Sequence, residues 1–257
     1  MTAPSSPTPS TPSTKRAHGT RNLFIAVATV VVLAGVAVGG YALWYLFLSP
    51  PGPAAIGSSA PVFPSGTGLP APASMDGTWT VNDSLGSMSD FSASWAGYQV
   101  QEQLVGVGAH TAVGRTPSVT GSMTLSGAIV DNVQVTADLT ALKSDDSHRD
   151  DQLSHQAIDT SQFPTATFKT TQPIDLGTLP PDGTTVTVTA KGDFTLHGVT
   201  KTVDISLQAV RQGGIIAVTA TLPVTFADYG FQGPNSFSIL SVDDHGTMEL
   251  HLLFTHA

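Results

Sequence analysis

Few side chains in this sequence are spaced for catalysis. The densest titratable cluster is Asp145-Asp146-Ser147-His148-Arg149-Asp150-Asp151, with His155 close behind. Ser147-His148 beside two aspartates supplies the residue types of a nucleophilic triad, but adjacency along the chain says nothing about triad geometry. His148 and His155 are seven residues apart, two turns along one helix face, whereas a zinc pair prefers a single turn. The aspartates lack the spacing of a calcium loop and suit the solvated start of a helix. No Gly-x-Ser-x-Gly elbow, His-Glu-x-x-His helix or phosphate loop occurs, and Gly106-Val107-Gly108 lacks the third glycine of a dinucleotide fingerprint. With no cysteine, the chain has no disulfide, no thiol chemistry and no residue for a lipoprotein anchor. The chain is thus read as a non-enzyme, with no metal site and no cofactor.

Charge is scarce and lopsided. Lys15, Arg16 and Arg21 precede residue 23 without an acid, whereas the chain beyond residue 75 holds seven bases against 19 acids. An acidic main domain so poor in Lys and Arg is a poor fit to phosphate-backbone binding, which sets nucleic acid aside.

Four regions follow from composition. Residues 1–22 form a Pro/Ser/Thr tail expected to be disordered on the cytoplasmic side. Leu23–Leu48 is 26 residues without a charge, long enough to span a hydrocarbon core of ~30 Å. A cleaved signal peptide is the competing reading. The run is longer than the ~7–15 residues of a signal core, which favours an uncleaved transmembrane anchor. Bases before the span and no charge from Leu48 to Asp76 place the N-terminus inside and the main domain outside. Tyr41, Trp44, Tyr45 and Phe47 sit where an interfacial aromatic belt belongs. Gly35 and Gly39 form a small-xxx-small pair; it admits a homodimer, but the motif is weak and reads first as ordinary glycine usage in membrane helices. Residues 49–75 read as a Pro/Gly/Ser/Ala-rich linker, and 76–257 as the folded domain, beginning near Asp76–Trp79.

That domain is β in pattern. Val133–Leu139, Val186–Ala190, Val203–Ala209 and Met248–Leu252 alternate apolar and polar residues, so each presents one apolar face. Pro180–Gly183, Gln212–Gly214 and Asp243–Gly246 carry turn residues between them. Many short strands with tight turns point to an antiparallel barrel or sandwich. One surface helix is expected near 146–157, capped by Ser144 or Asp145.

Three segments carry a family resemblance. The first is Arg149-Asp150-x-x-Leu153 followed by Phe163-Pro164-Thr165-Ala166-Thr167-Phe168; the second is Gly192-Asp193-Phe194-Thr195-Leu196-His197-Gly198-Val199-Thr200-Lys201; the third is Asp228-Tyr229-Gly230. Together they resemble the YceI family of lipid-binding proteins, in order and spacing, over nearly all of 76–257. Phe226-Ala227 stands where many members carry an arginine. The resemblance implies an all-β fold: an extended eight-stranded antiparallel lipocalin-like barrel with one short helix and a long apolar tunnel. It implies an isoprenoid lipid or isoprenoid quinone as ligand, and a bacterial cell-envelope setting. An enzyme or stress factor acting on isoprenoid compounds, and a structural domain with a filled barrel, are the alternatives. The tunnel candidates are Phe168, Phe194, Leu196, Ile205 and Leu207. Phe163-Pro164 and Phe168 are read first as core packing, His197 as a locally bonded turn residue, and Arg149-Asp150 as a surface ion pair or a brace to the barrel.

Overall fold

The computed structural model describes residues 29–41, 43–44, 60–66, 68–234 and 239–257. The chain divides into two compact units, Met1–Leu48 and Ser49–Ala257. In the first unit residues 29–41 and 43–44 are helical (α1). Among the described residues no helix is long and apolar enough to cross a membrane. The expected span 23–48 extends beyond them at both ends, and the expected tail 1–22 lies wholly outside them.

The second unit is built on β1 (Gly77–Val81), β2 (Trp95–Leu104), β3 (Gly108–Thr116), β4 (Val119–Ser126), β5 (Ile129–Asp138), β6 (Lys143–Ser144), β7 (Thr165–Thr170), β8 (Ile174–Asp175), β9 (Val186–Leu196), β10 (Val199–Gln212), β11 (Ile215–Thr225), β12 (Ile239–Val242) and β13 (His245–His256). All pairings are antiparallel. The order β1-β4-β5-β7-β9-β10-β11-β13 closes on itself because β13 also pairs β1, giving an eight-stranded barrel. Closure decides between the barrel and the sandwich that the alternating pattern left open.

Tight hairpins set the register. Leu196 pairs Val199 across His197-Gly198, both at positive φ (50° and 72°), as a two-residue type I′ turn requires. Glycine takes that conformation freely, and histidine is among the side chains that tolerate it. Gln212 pairs Ile215 across Gly213-Gly214, another two-residue turn, with positive φ (58°) at Gly213 alone.

One long edge of β13 serves two partners. Phe254–His256 pair with β1, whereas Thr247–His251 pair with β2. Between β1 and β2 the chain leaves the wall over residues 82–94 and folds onto the outer surface. It is pinned there by Arg115 of β3, whose guanidinium lies 4.2 Å from the Phe91 ring centre and 3.8 Å from that of Trp95, with Glu249 at 3.5 Å.

Beyond β3 the wall is completed by the segment 139–158 rather than by a full strand. It contains a 3₁₀ turn (Leu139–Ala141), the short β6, α2 (Ser147–Gln152) and a π-helical turn (Leu153–Ala157). The expected helix near 146–157 is therefore split. Its cap is Asp146, which accepts from the His148 amide at 2.8 Å, not Ser144 or Asp145. Both of those are engaged elsewhere: Asp145 takes Arg149, and Ser144 binds Asp150.

Packing begins upstream of Asp76. Val62 carbonyl oxygen contacts His251 Nε2 at 2.9 Å, Gly214 donates its amide to Leu69 oxygen at 2.9 Å, and Phe63 packs on Val210, Ile215 and Leu253. Part of the region read as linker thus lies as a strap on the barrel's outside, and Asp76 is not the limit of the packed chain. The remainder, 49–59 and residue 67, lies outside the described residues.

Candidate functional site

Alternation on the barrel strands turns one set of apolar side chains inward. Two cavities result, and they meet. The first lies beneath α2 and the segment 139–158, walled by Tyr98, Leu139, Leu142, Phe194, Leu196 and Phe226. The second lies at the other end, walled by Met123, Val188, Leu207, Val218, Leu252 and Phe254. Val135, Phe168, Ile205, Ala220 and Leu250 border both, so they form a waist between two chambers of one tunnel. Each chamber offers about 130 Å³ to the centres of water-sized spheres. A single buried water needs only ~10–15 Å³ on that measure, so this is room for a ligand rather than packing defects.

The five side chains expected to line a tunnel all border this space. Phe194 and Leu196 face the first chamber, Leu207 the second, and Phe168 and Ile205 stand at the waist. Phe168 pairs with Val135 on one side and Phe194 on the other, which sets three large side chains around the lumen.

Polar groups gather at one end. Tyr98, Val100, Glu102 and Leu104 alternate along β2, so a carboxylate shares a face with apolar side chains. Arg149 reaches from α2 to meet it, Nη2 donating to Glu102 Oε1 at 2.7 Å, while Nη1 donates to Asp145 and to Ser144 Oγ at 3.4 Å. His110 Nδ1 lies 3.0 Å from the same Glu102 oxygen. Burial alone would raise the Glu102 carboxyl, but His110 and Arg149 hold it below its ordinary value. Burial would likewise lower the Arg149 guanidinium, and Glu102 and Asp145 more than reverse this. Arg149 is therefore a buried brace between α2 and β2, one of the two roles expected of Arg149-Asp150. The two residues do not pair with each other: Asp150 accepts from the Ser144 amide and hydroxyl at 2.9 and 2.7 Å.

Tyr98 completes this end. Its ring lies against Gly114, where a Cβ would fall 2.9 Å from Tyr98 Cζ. Its hydroxyl is buried and has no hydrogen-bond partner among the described residues. Burial pushes that phenol well above its ordinary value, so it stays protonated. Tyr98 and Glu102 were not anticipated in the sequence. The available signal was a lone acid in phase with Tyr98 and Val100, a pattern that calls for a buried partner.

The motif segments divide: Leu153, Phe168, Phe194 and Leu196 line the first chamber, whereas His197, Lys201 and Asp228 tie the barrel's end together. His197 Nδ1 lies 2.9 Å from Tyr229 oxygen, and its ring sits between Phe163 at 4.3 Å and Phe231 at 5.5 Å. Lys201 pairs with Asp228 at 2.8 Å. His197 is thus a turn residue, but its hydrogen bond runs to a segment 32 positions away rather than locally. Among the described residues no group of three or more metal-ligating side chains converges.

Comparison with known proteins agrees with this architecture. The family described as YceI-like domain matches residues 80–254. A UPF0312 protein of Vibrio cholerae is 30% identical over 128 residues, covering 47% of this chain and 61% of that protein. One of Vibrio parahaemolyticus is 39% identical over 82 residues, covering 32% and 40%. This chain thus spans about three-fifths or less of the curated relatives' length. Among solved structures, a polyisoprenoid binding domain from Saccharophagus degradans, implicated in plant cell wall breakdown, superposes with TM-score 0.53 at 14% identity. That match covers 70% of this chain and 98% of the other, and carries the fold. BcnA of Burkholderia cenocepacia superposes with TM-score 0.48 at 21% identity, over 62% and 95%.

Proposed function

The chain belongs to the YceI-like domain family, and from that membership we propose that it is a binding protein whose barrel sequesters or carries an isoprenoid lipid or isoprenoid quinone. The observation that carries this is the tunnel: two apolar chambers joined at a waist, inside a closed barrel. A long unbranched lumen suits a flexible hydrocarbon chain, whose burial contributes ~25 cal/mol per Å² of apolar surface. The polyisoprenoid-binding description of the Saccharophagus neighbour supports the same ligand class. The charged groups at the tunnel's end are committed to one another, which suits binding better than turnover.

We place the barrel outside a cell membrane, held by an uncleaved anchor over 23–48. Val30, Val31, Val32, Leu33, Val36 and Leu43 of α1 are each 61–66% exposed. A helix apolar on every side finds its favourable solvent in lipid rather than water. Bases before the span then orient it with the N-terminus inside.

Solvent extraction of the purified chain followed by mass spectrometry tests the ligand. A prenyl lipid in near-stoichiometric amount is expected; an empty extract, with no prenyl compound binding on addition, would overturn the proposal.

A further inference from the structure

The wall of the first chamber has a gap in its strand ladder. Beyond β3, among the described residues, only Gly114 and Arg115 pair with a further strand, the two-residue β6. Resting on the tunnel reading above, we propose that the chain from Leu139 to Pro164 is a hinged flap over this gap and the doorway by which an apolar chain enters the tunnel, with Arg149 and Glu102 as its latch.

The hinge is a single place. β5 and β7 are neighbours, with Asp138 opposite Thr165, and Leu139 donates its amide to Pro164 oxygen at 2.8 Å. The chain therefore leaves the barrel and returns to it at the same point. Between those ends the flap holds itself together: Asp146 caps α2, Ser144 Oγ donates to Asp150 at 2.7 Å, and Lys143 lies 3.9 Å from Asp150. Such internal contacts let it move as one body. Its underside presents Leu142, Leu153, Ala157 and Ile158 to the first chamber. Lifting it uncovers these side chains together with Tyr98 and Ala112 of the facing wall. That exposure is unfavourable in water, so the flap rests shut, and an apolar chain arriving at the gap replaces the lost cover.

The charged contact across the gap is Arg149 with Glu102, Nη2 to Oε1 at 2.7 Å, each residue 5% exposed. Breaking a buried ion pair ordinarily strands a charge. Here each half keeps a partner. Asp145 stays with the guanidinium on the flap, and His110, opposite Glu102 in the β2–β3 ladder, stays 3.0 Å from the carboxylate on the wall. The pair can therefore part and re-form, which a latch must do.

The chain has no cysteine, so one introduced thiol reports on one place. Three variants of the full chain carry it: Ala157→Cys beneath the flap, Ala220→Cys at the waist, and Ala217→Cys, fully buried and bordering neither chamber. A water-soluble maleimide reads flap opening at position 157. N-dodecylmaleimide, an apolar chain with a reactive head, reads entry at position 220. In the parent background position 157 should react about tenfold or more faster than position 217, because a flap opens locally at less cost than the barrel unfolds. Adding Glu102→Gln, or separately Arg149→Met, should speed positions 157 and 220 by about fivefold or more, in line with one charge-assisted hydrogen bond, with position 217 unmodified over the same period. Position 157 reacting no faster than 217 would overturn the flap, and a rate there indifferent to both substitutions would overturn the latch. Modification at 220 at an unchanged rate would overturn the doorway and leave the tunnel standing. No reaction of N-dodecylmaleimide at 220 in any background would overturn the tunnel reading itself.

Discussion

The Phe168 ring lies across the backbone of Gly192: a Cβ at 192 would fall 2.5 Å from Phe168 Cζ. The absent side chain is what lets an aromatic ring from β7 occupy the waist of the tunnel. Gly192→Ala would press on that ring and on the Lys169 carbonyl oxygen, also at 2.5 Å, neither of which yields easily. The expected cost is about 1–3 kcal/mol, read from a urea midpoint, together with less co-purified lipid. A variant as stable and as lipid-loaded as the parent would show that the waist tolerates rearrangement.

Ala220 is the smallest side chain at the waist. Ala220→Trp should plug the passage between the chambers at a stability cost below about 1 kcal/mol, because open space accepts volume that a packed core rejects. Retained melting temperature with lipid lost severalfold is the expected pattern. A large loss of stability would point to a filled interior.

The Glu102–Arg149 brace makes the acid side of the stability curve informative. The Glu102 carboxyl is held below its ordinary 4.5 in the fold. Its stabilising contribution is therefore fully present above that pH and is lost as pH falls through the depressed value. Glu102→Gln should be less stable than the parent by about 1–3 kcal/mol near neutrality. That difference should stay flat down to about pH 5 and shrink below 4.5. Urea titrations of both proteins across the range measure it.

The strap offers a second pH test. Burial holds the His251 imidazole below its ordinary 6.5. The unfolded chain therefore binds the proton more readily, so stability is complete above that pH and declines as pH falls below it. A chain starting at Asp76 loses the Val62 and Leu69 contacts and the cover of Phe63 over Leu253. It should be less stable by about 2–4 kcal/mol at neutral pH and show a flatter decline on the acid side. Equal stability of chains starting at Asp76 and Ser49 would show the strap to be incidental.

Much of the barrel was readable because a strand with one buried face advertises itself at a period of two. Phe194 with Leu196 and Ile205 with Leu207 were placed on shared faces by that rule alone, and the structure puts all four along the tunnel. The rule fails where both faces are covered. The alternation of β13 breaks at Leu253, which points outward yet is fully buried, because the strap and the excursion between β1 and β2 cover it. Neither cover has a periodic pattern, so the strap read as linker. The polar end was missed for another reason. Glu102, His110 and Arg149 come from β2, β3 and α2, and only the fold brings such distant positions together. The cap at Asp146 lay next to the two expected candidates, Ser144 and Asp145, which are engaged instead with Asp150 and Arg149.

The seam of the barrel has a consequence for the order of events in the cell. β13 joins β11 to both β1 and β2, so strands made early wait on the strand ending at residue 256. Pairing Trp79 with His256 links positions separated by most of the domain, the kind of contact that forms late and slowly. Until translation reaches that strand there is no enclosed lumen, and the inward faces of β9 and β10 are exposed hydrocarbon in search of cover. An enclosed lumen able to hold a ligand therefore exists only after the last strand has been made and paired on both sides.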